Sequence, residues 1–311
     1  MRHHQEIDLP DLRGAVALIT GASDGIGLRI ASRLAGAGAD LILPVRNPVK
    51  GTAAAETIRA TSPHARIDLP ELDLSSLDSV AALATGLLDR ATPIHLLINN
   101  AGVMQPPHRR VTSDGFELQL GVNHLAHFAL TAQLMPLLQE GRARVVSQTS
   151  VAARRAVIDW DDPNWERSYD VARAYAQSKL AIGLLGVELG RRSAEAGWGI
   201  TSAVSHPGVA PTSLLAARPE IGRAGDTAGV RIIRFLSARG VLVGTPESAA
   251  EPALMAATTP TLDEGTMYAP VGAGQLSGAA ASVELFPPLR RNADANRMWE
   301  LSARLTGVAF D

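Results

Sequence analysis

The residues best suited to do chemistry are Tyr175 and Lys179, four positions apart in the segment Tyr175-Ala176-Gln177-Ser178-Lys179. On a helix that spacing sets a phenol and an ammonium on one face. A tyrosine titrating near pH 10 is a poor acid or base at neutrality, and a fixed cation beside it favours the phenolate and lowers its pKa. Lysine suits that task as a compact point charge. Of 29 basic residues only Lys50 and Lys179 are lysines, and Tyr175 is one of three tyrosines, so the pairing of two scarce types argues against accident. Tyr169 and Arg173 repeat the spacing, but the guanidinium is bulkier and the pair sits nearer the expected helix start.

Residues 20–27 read Thr-Gly-Ala-Ser-Asp-Gly-Ile-Gly, directly after an apolar strand and opening a helix. Gly21, Gly25 and Gly27 permit a tight turn and close backbone approach. The helix N-terminus, with Ser23, Asp24 and Ile26 around it, offers free amides and partial positive charge to a pyrophosphate. An acidic residue about 20 positions on would bind the ribose 2′-hydroxyl of NAD, and an arginine would accommodate the 2′-phosphate of NADP. The next strand ends Leu43-Pro44-Val45-Arg46-Asn47 without a carboxylate, so Arg46 and Asn47 favour NADP(H). A solvated arginine at a strand end leaves NAD open. His124 and His127 stand three apart on an expected helix, but a third metal ligand is missing and packing is the simpler role. No metal site is expected.

These groups need a scaffold. Short aliphatic runs at 15–20, 40–45, 66–69, 94–98, 143–148 and 200–205 alternate with helical patterns at 25–38, 49–60, 75–90, 121–138 and 171–196, with Ser75 as an N-cap. Strict alternation implies a parallel sheet with helices on both faces. The expected fold is α/β: one Rossmann-type, doubly wound parallel sheet of about seven strands, with residues 266–270 as a short last strand and a variable C-terminal substrate cap. Past Pro207 the pattern loosens, leaving one apolar helix near 230–236. Residues 1–13 read as a surface lead-in and 14–311 as a single Rossmann-fold domain, with substrate loops at 151–170 and 208–240.

Composition narrows the function classes. The 311 residues are 46% apolar and 19% charged with a net charge of −2, enough for a sizeable core and without a basic patch for nucleic acid or a polybasic membrane anchor. The absence of cysteine excludes disulfides, thiolate metal sites and a cysteine nucleophile. No uninterrupted apolar run reaches about 18 residues, so a membrane span is not expected. Residues 1–14 lack the apolar stretch of a signal peptide. A cytoplasmic location and a small-molecule partner fit this profile.

The four motifs together resemble the short-chain dehydrogenase/reductase family over residues 12–209. The T-G-x-x-x-G-x-G pattern is met by Thr20, Gly21, Gly25 and Gly27. Asn99-Asn100-Ala101-Gly102 match its N-N-A-G segment, Tyr175 and Lys179 its Tyr-x-x-x-Lys pair, and Pro207-Gly208 its step after the sixth strand. The resemblance implies that Ser150, in preference to the nearby Ser147 and Thr149, bonds the substrate oxygen. It implies also that Asn123 holds a water linking Lys179 to solvent, and that Asp73 and Leu74 flank the adenine. Asn99 would help position the adenosine half and Lys179 would bind the nicotinamide ribose, with Ala101, Gly102, Tyr175, Pro207 and Gly208 also expected to contact the cofactor. Plainer readings compete: Asp73 ending a strand, Asn123 capping backbone, Ser150 as a turn hydroxyl.

Ser150 and Tyr175 are 25 residues apart, more than is usual in the family. The insert at 154–170 carries Trp160 and Trp165, and this spacing resembles the retinol-dehydrogenase and protochlorophyllide-reductase branch. The insert and residues 209–236, with Val209, Leu214 and Leu215, are expected to form an apolar pocket. The implied activity is hydride transfer between NADP(H) and an apolar carbonyl or secondary alcohol. The alternatives are an NAD-dependent enzyme of the same family, a sugar-nucleotide epimerase or dehydratase, whose usual G-x-x-G-x-x-G spacing is missing here, and a non-enzymatic NADP(H) sensor. A homodimer or homotetramer could use the helices at 121–138 and 171–196, although both also carry core positions.

Overall fold

Aliphatic strands that alternate their side chains between two faces need helices on both sides to bury them. The computed structural model, which describes residues 6–211, 222 and 243–310, has that arrangement. Its strands are β1 (Val16–Ile19), β2 (Asp40–Ile42), β3 (Ile67–Asp68), β4 (Leu96–Asn99), β5 (Arg144–Gln148), β6 (Thr201–Ser205), β7 (Thr266–Pro270) and β8 (Ala280–Glu284). They form one sheet in the order β3-β2-β1-β4-β5-β6-β7-β8, parallel except for β8, which runs antiparallel to β7. The order reverses between β1 and β4, and a ligand crevice in such a sheet opens at the carboxyl ends of the strands flanking that point.

Within β1 the alternation is visible residue by residue. Leu18 joins a core with Phe128, Leu130 and Leu134, whereas Ala17 and Ile19 join one with Ile30, Leu34 and Leu254 on the other face. The helices sort accordingly. α1 (Gly25–Gly36) and α2 (Pro48–Thr61) serve the second core. α3 (Leu77–Leu88), α5 (Ala126–Gln133), α6 (Met135–Glu140) and α7 (Val171–Ala196) serve the first. Asp170 caps α7 by accepting from the amides of Ala172 and Arg173, and Gly197 ends it in the left-handed region at φ 69°.

Four expectations are corrected. The helix expected at 121–138 is divided: α4 (Leu118–Leu120) runs into a π-turn over Gly121–Leu125, and α5 stops at Leu134 before α6. Pro136 in the first turn of α6 cannot donate to the ladder, so the regular pattern restarts there. The cap of α3 is Ser76, which accepts from the Ser79 amide, because Ser75 is turned back onto Asp73. An eighth strand adds to the seven expected; β8 is a half-exposed edge of small residues with little apolar signal.

The fourth concerns the ends of the chain. Ile7, Leu9 and Leu12 of the supposed lead-in pack against the second core. The Ile7 amide donates to buried Glu251, which pairs with Arg33 at 2.7 Å. Two helices escaped the sequence reading, α8 (Pro246–Thr258) and α9 (Asn292–Thr306). α8 buries mostly alanines and carries Pro252, which weakens any amphipathic pattern. The helix expected near 230–236, Leu214 and Leu215 lie outside the described residues.

Candidate active site

At the carboxyl end of β1 the chain turns sharply through Gly21, at φ 69°, and Gly25, at φ 57°, into α1. The turn is packed too closely for side chains. A Cβ on Gly21 would lie 2.8 Å from the Ala101 Cα, and one on Gly27 would lie 2.4 Å from the Gly21 carbonyl oxygen and 2.5 Å from Asn100 Nδ2. Asp24 caps α1 by accepting from the Gly25 amide at 2.6 Å, which leaves the first-turn amides of Ile26 and Gly27 without helical partners. Together with Ser23 these residues line a cleft whose other wall is Asn100, Ala101, Gly102, Gln148, Thr149, Ser150, Tyr175, Lys179, Pro207 and Gly208. Free amides at the start of a three-turn helix, cradled where only glycine fits, suit a pyrophosphate.

Across the cleft, Ser150 follows β5 and Tyr175 and Lys179 project from α7. Tyr175 and Ser150 line the same cleft, and the tyrosine ring is buried. Of the three hydroxyls at the end of β5, that of Ser150 is the one left on the cleft wall with Tyr175. Thr149 donates to the Lys179 carbonyl at 2.6 Å, and Ser147 is buried behind the strand. Lys179 Nζ donates to the Gln148 carbonyl at 3.2 Å. Burial holds its ammonium down to about 8. Burial pushes the Tyr175 phenol up from its ordinary value, offset in part by the neighbouring Ser150 side chain.

Asn123 sits on the π-turn and is fully enclosed. Its Oδ1 accepts from the Val103 amide at 2.7 Å, and its Nδ2 donates to the Val103 carbonyl at 3.0 Å and to Ser178 Oγ at 2.9 Å. Both amide protons are thus committed inside the protein, and the side chain braces α7 against the loop after β4. A Cβ on Gly102 would meet Asn123 Oδ1 at 3.1 Å and Lys179 Nζ at 3.4 Å, so glycine there lets both groups approach.

Other expected site residues lie apart from this cleft. Asn99 turns its side chain into the core, donating to Thr131 at 3.2 Å. The cleft-facing asparagine is Asn100, which holds the Thr20 and Gly21 carbonyls and accepts from Gln148 Nε2 at 2.5 Å. Strand alternation is the signal that could have told the two apart. Arg46 and Asn47 follow β2, and Asn47 caps α2 by accepting from the Lys50 amide at 3.1 Å. Asp73 accepts from the Ser75 amide and hydroxyl, and Leu74 packs on the core. Arg46, Asp73 and Leu74 share the carboxyl side of the β2–β3 edge, next to the glycine turn.

The insert does not wall the cleft. Trp165 is buried edge-on to Tyr169 under the Arg173 guanidinium, and Trp160 lies beneath Arg297. Among the described residues, apolar side chains on this cleft include Met104, Val151, Ala152, Ala172, Val209 and Ala210. Tyr169 precedes α7, and its hydroxyl bonds Glu117 and Gln119 at 3.1 Å each, which accounts for the look-alike pair as a structural clasp. His124 bonds Ser302 at 2.7 Å, and His127 bonds Thr20 at 2.9 Å.

Comparison with other proteins agrees with this geometry. The sequence profile described as short chain dehydrogenase matches residues 15–220. Human retinol dehydrogenase 13 is 38% identical over 302 residues, covering 95% of this chain and 85% of the relative. A crystal structure of an uncharacterised protein from Mycobacterium Paratuberculosis superposes with a TM-score of 0.77 at 32% identity, covering 98% of this chain and 97% of the other. A short-chain dehydrogenase from Sphingobium yanoikuyae in complex with NADPH has a TM-score of 0.57 at 25% identity, covering 78% and 83%.

Proposed function

The chain belongs to the short chain dehydrogenase family of oxidoreductases, and we propose that it moves a hydride between NADP(H) and the carbonyl or secondary alcohol of an apolar small molecule. The observation that carries this reading is the convergence of Ser150, Tyr175 and Lys179, one helical turn on from the tyrosine, in the same cleft as the glycine turn. The retinol dehydrogenase relative and the small, apolar lining at Met104, Val151, Ala152 and Val209 favour a hydrophobic ketone, aldehyde or alcohol. The NADPH complex of the Sphingobium relative supports the cofactor. A cytosolic location and a small-molecule partner belong to the same proposal, resting on composition; among the described residues no helix is long and apolar enough to cross a membrane.

The bound nicotinamide supplies or accepts the hydride. In reduction, Ser150 hydrogen-bonds the carbonyl oxygen and stabilises the charge that develops on it. Tyr175 donates its proton to that oxygen. Lys179 holds its ammonium behind the phenol and favours the phenolate left after transfer. The test is cofactor oxidation with NADPH and NADH in parallel, against aldehydes and ketones graded by size and polarity. Turnover with NADPH on bulky apolar carbonyls supports the reading, and NADPH binding with no turnover across the panel favours the sensor.

Two further results are expected. Arg46→Asp moves the kcat/KM ratio toward NADH by about 10- to 100-fold, the scale of one charge-assisted hydrogen bond; an unchanged ratio removes Arg46 from phosphate recognition. The pH profile should carry the mark of Lys179, whose ammonium is present below about 8 and lost above it. Because kcat/KM reports groups of the free enzyme, kcat/KM for NADPH falls as pH rises through 8. A flat profile from pH 7 to 9.5 excludes the lysine charge from the rate.

A further inference from the structure

Between the glycine turn and α7 lies a run of buried polar groups that no step above uses. Thr20 Oγ1 accepts from the amides of Asn100 and Ala101, each at 3.0 Å, and those two donors fill its lone pairs. Its own proton then has two acceptors in reach, the Ile98 carbonyl at 3.4 Å and His127 Nε2 at 2.9 Å. The shorter contact wins. If Nε2 carried the hydrogen instead, the hydroxyl would face three donors, and the bare Nδ1 would face the Asn123 carbonyl, 3.3 Å away. The neutral ring therefore keeps its hydrogen on Nδ1 and donates it to Asn123 O. Its protonated form is disfavoured by burial and by the Lys179 ammonium, which hold the ring down to about 3.

From Asn123 the run continues through the carboxamide to Ser178, whose hydroxyl donates to the Tyr175 carbonyl at 2.8 Å. Thr20, Asn123, His127 and Ser178 are each at most 1% exposed. An apolar side chain in place of His127 would leave the Thr20 proton only the longer contact to the Ile98 carbonyl and take the ring donor away from the Asn123 carbonyl, a cost that packing alone does not explain.

We propose that His127 is a positioning residue whose Nδ1–H tautomer ties the glycine turn to the π-turn and so sets the register between the cofactor cradle and Tyr175. The proposal rests on the hydride-transfer reading for its kinetic consequences, but the tautomer stands apart from it. Long-range ¹H–¹⁵N correlations on the wild-type protein, with the ring assigned by its loss in His127→Gln, are expected to show a neutral Nδ1–H imidazole. An Nε2–H ring overturns the proposal, and the measurement needs neither substrate nor cofactor.

The two ends of the ring can also be cut separately. Asn at this position keeps an N–H near Nδ1 and loses the Thr20 end, whereas Gln reaches toward Nε2 and loses the Asn123 end. His127→Asn should raise the Kd for NADPH, read by fluorescence titration, about tenfold and more than it lowers kcat. His127→Gln should lower kcat about tenfold and more than it raises the Kd. The same ordering in both variants, or no change in either, marks His127 as packing alone. A wild-type protein that neither binds NADPH nor turns over would sink the functional reading while the tautomer result still decides the brace.

Discussion

Tyr175→Phe is expected to lower the rate of carbonyl reduction about a thousandfold, within the 10²–10⁴ range of a positioned general acid, while the Kd for NADPH stays within about threefold. The substitution removes one oxygen and leaves the buried ring in place, so the fold should be untouched. What disappears is the proposed proton donor, the phenol on the same cleft wall as Ser150. The Ser150 hydroxyl, which also accepts from the Ala152 amide at 3.2 Å, remains to bind the substrate oxygen and cannot replace the phenol as an acid. Single-turnover measurements with saturating NADPH separate the chemical step from binding. A residual rate above a tenth of wild type would refute the assignment of Tyr175 as the acid.

The second large effect belongs to a residue without a side chain. Gly27→Ala places a Cβ 2.4 Å from the Gly21 carbonyl oxygen and 2.5 Å from Asn100 Nδ2, and the first of these is backbone with nowhere to go. The turn must open, which pulls the first-turn amides of α1 out of line with a pyrophosphate. Losing two charge-assisted hydrogen bonds at about 1.5 kcal/mol each corresponds to roughly a hundredfold rise in the Kd for NADPH. Gly86→Ala is the control. It lies on the exposed face of α3 with nothing within 4 Å of an added Cβ, and should stabilise the protein by about 0.5–1 kcal/mol. Titration of NADPH fluorescence and thermal melting read both variants. A Gly27→Ala protein that binds as tightly as wild type would show that the cradle tolerates what its geometry forbids.

The α/β alternation up to β6, the glycine turn, and the Tyr175–Lys179 pair were legible in the chain because each depends on local rules. Strand and helix periods repeat within a dozen residues, only glycine permits φ near +60° at little cost, and a four-residue spacing puts two side chains on one helical face. Past Pro207 the same rules weaken. α8 buries alanines around a proline and β8 is an edge of small residues, so neither carries a strong apolar period.

Other features are set by partners distant in sequence, and only the tertiary structure decided them. The direction of a buried amide or hydroxyl depends on which donors and acceptors converge on it, and these come from different elements. Asn99 and Asn100 are adjacent and alike in sequence, yet one bonds Thr131 in the core and the other holds the glycine turn. Asn123 could not be known to brace Val103 and Ser178 until the π-turn presented it to both. Trp160 and Trp165 left the cleft because Arg297 and Arg173 cover them elsewhere. The identities of the proposed reacting groups were thus legible locally in the sequence, while the orientation of Asn100 and Asn123 and the tautomer proposed for His127 depend on hydrogen bonds that exist only once the chain is folded.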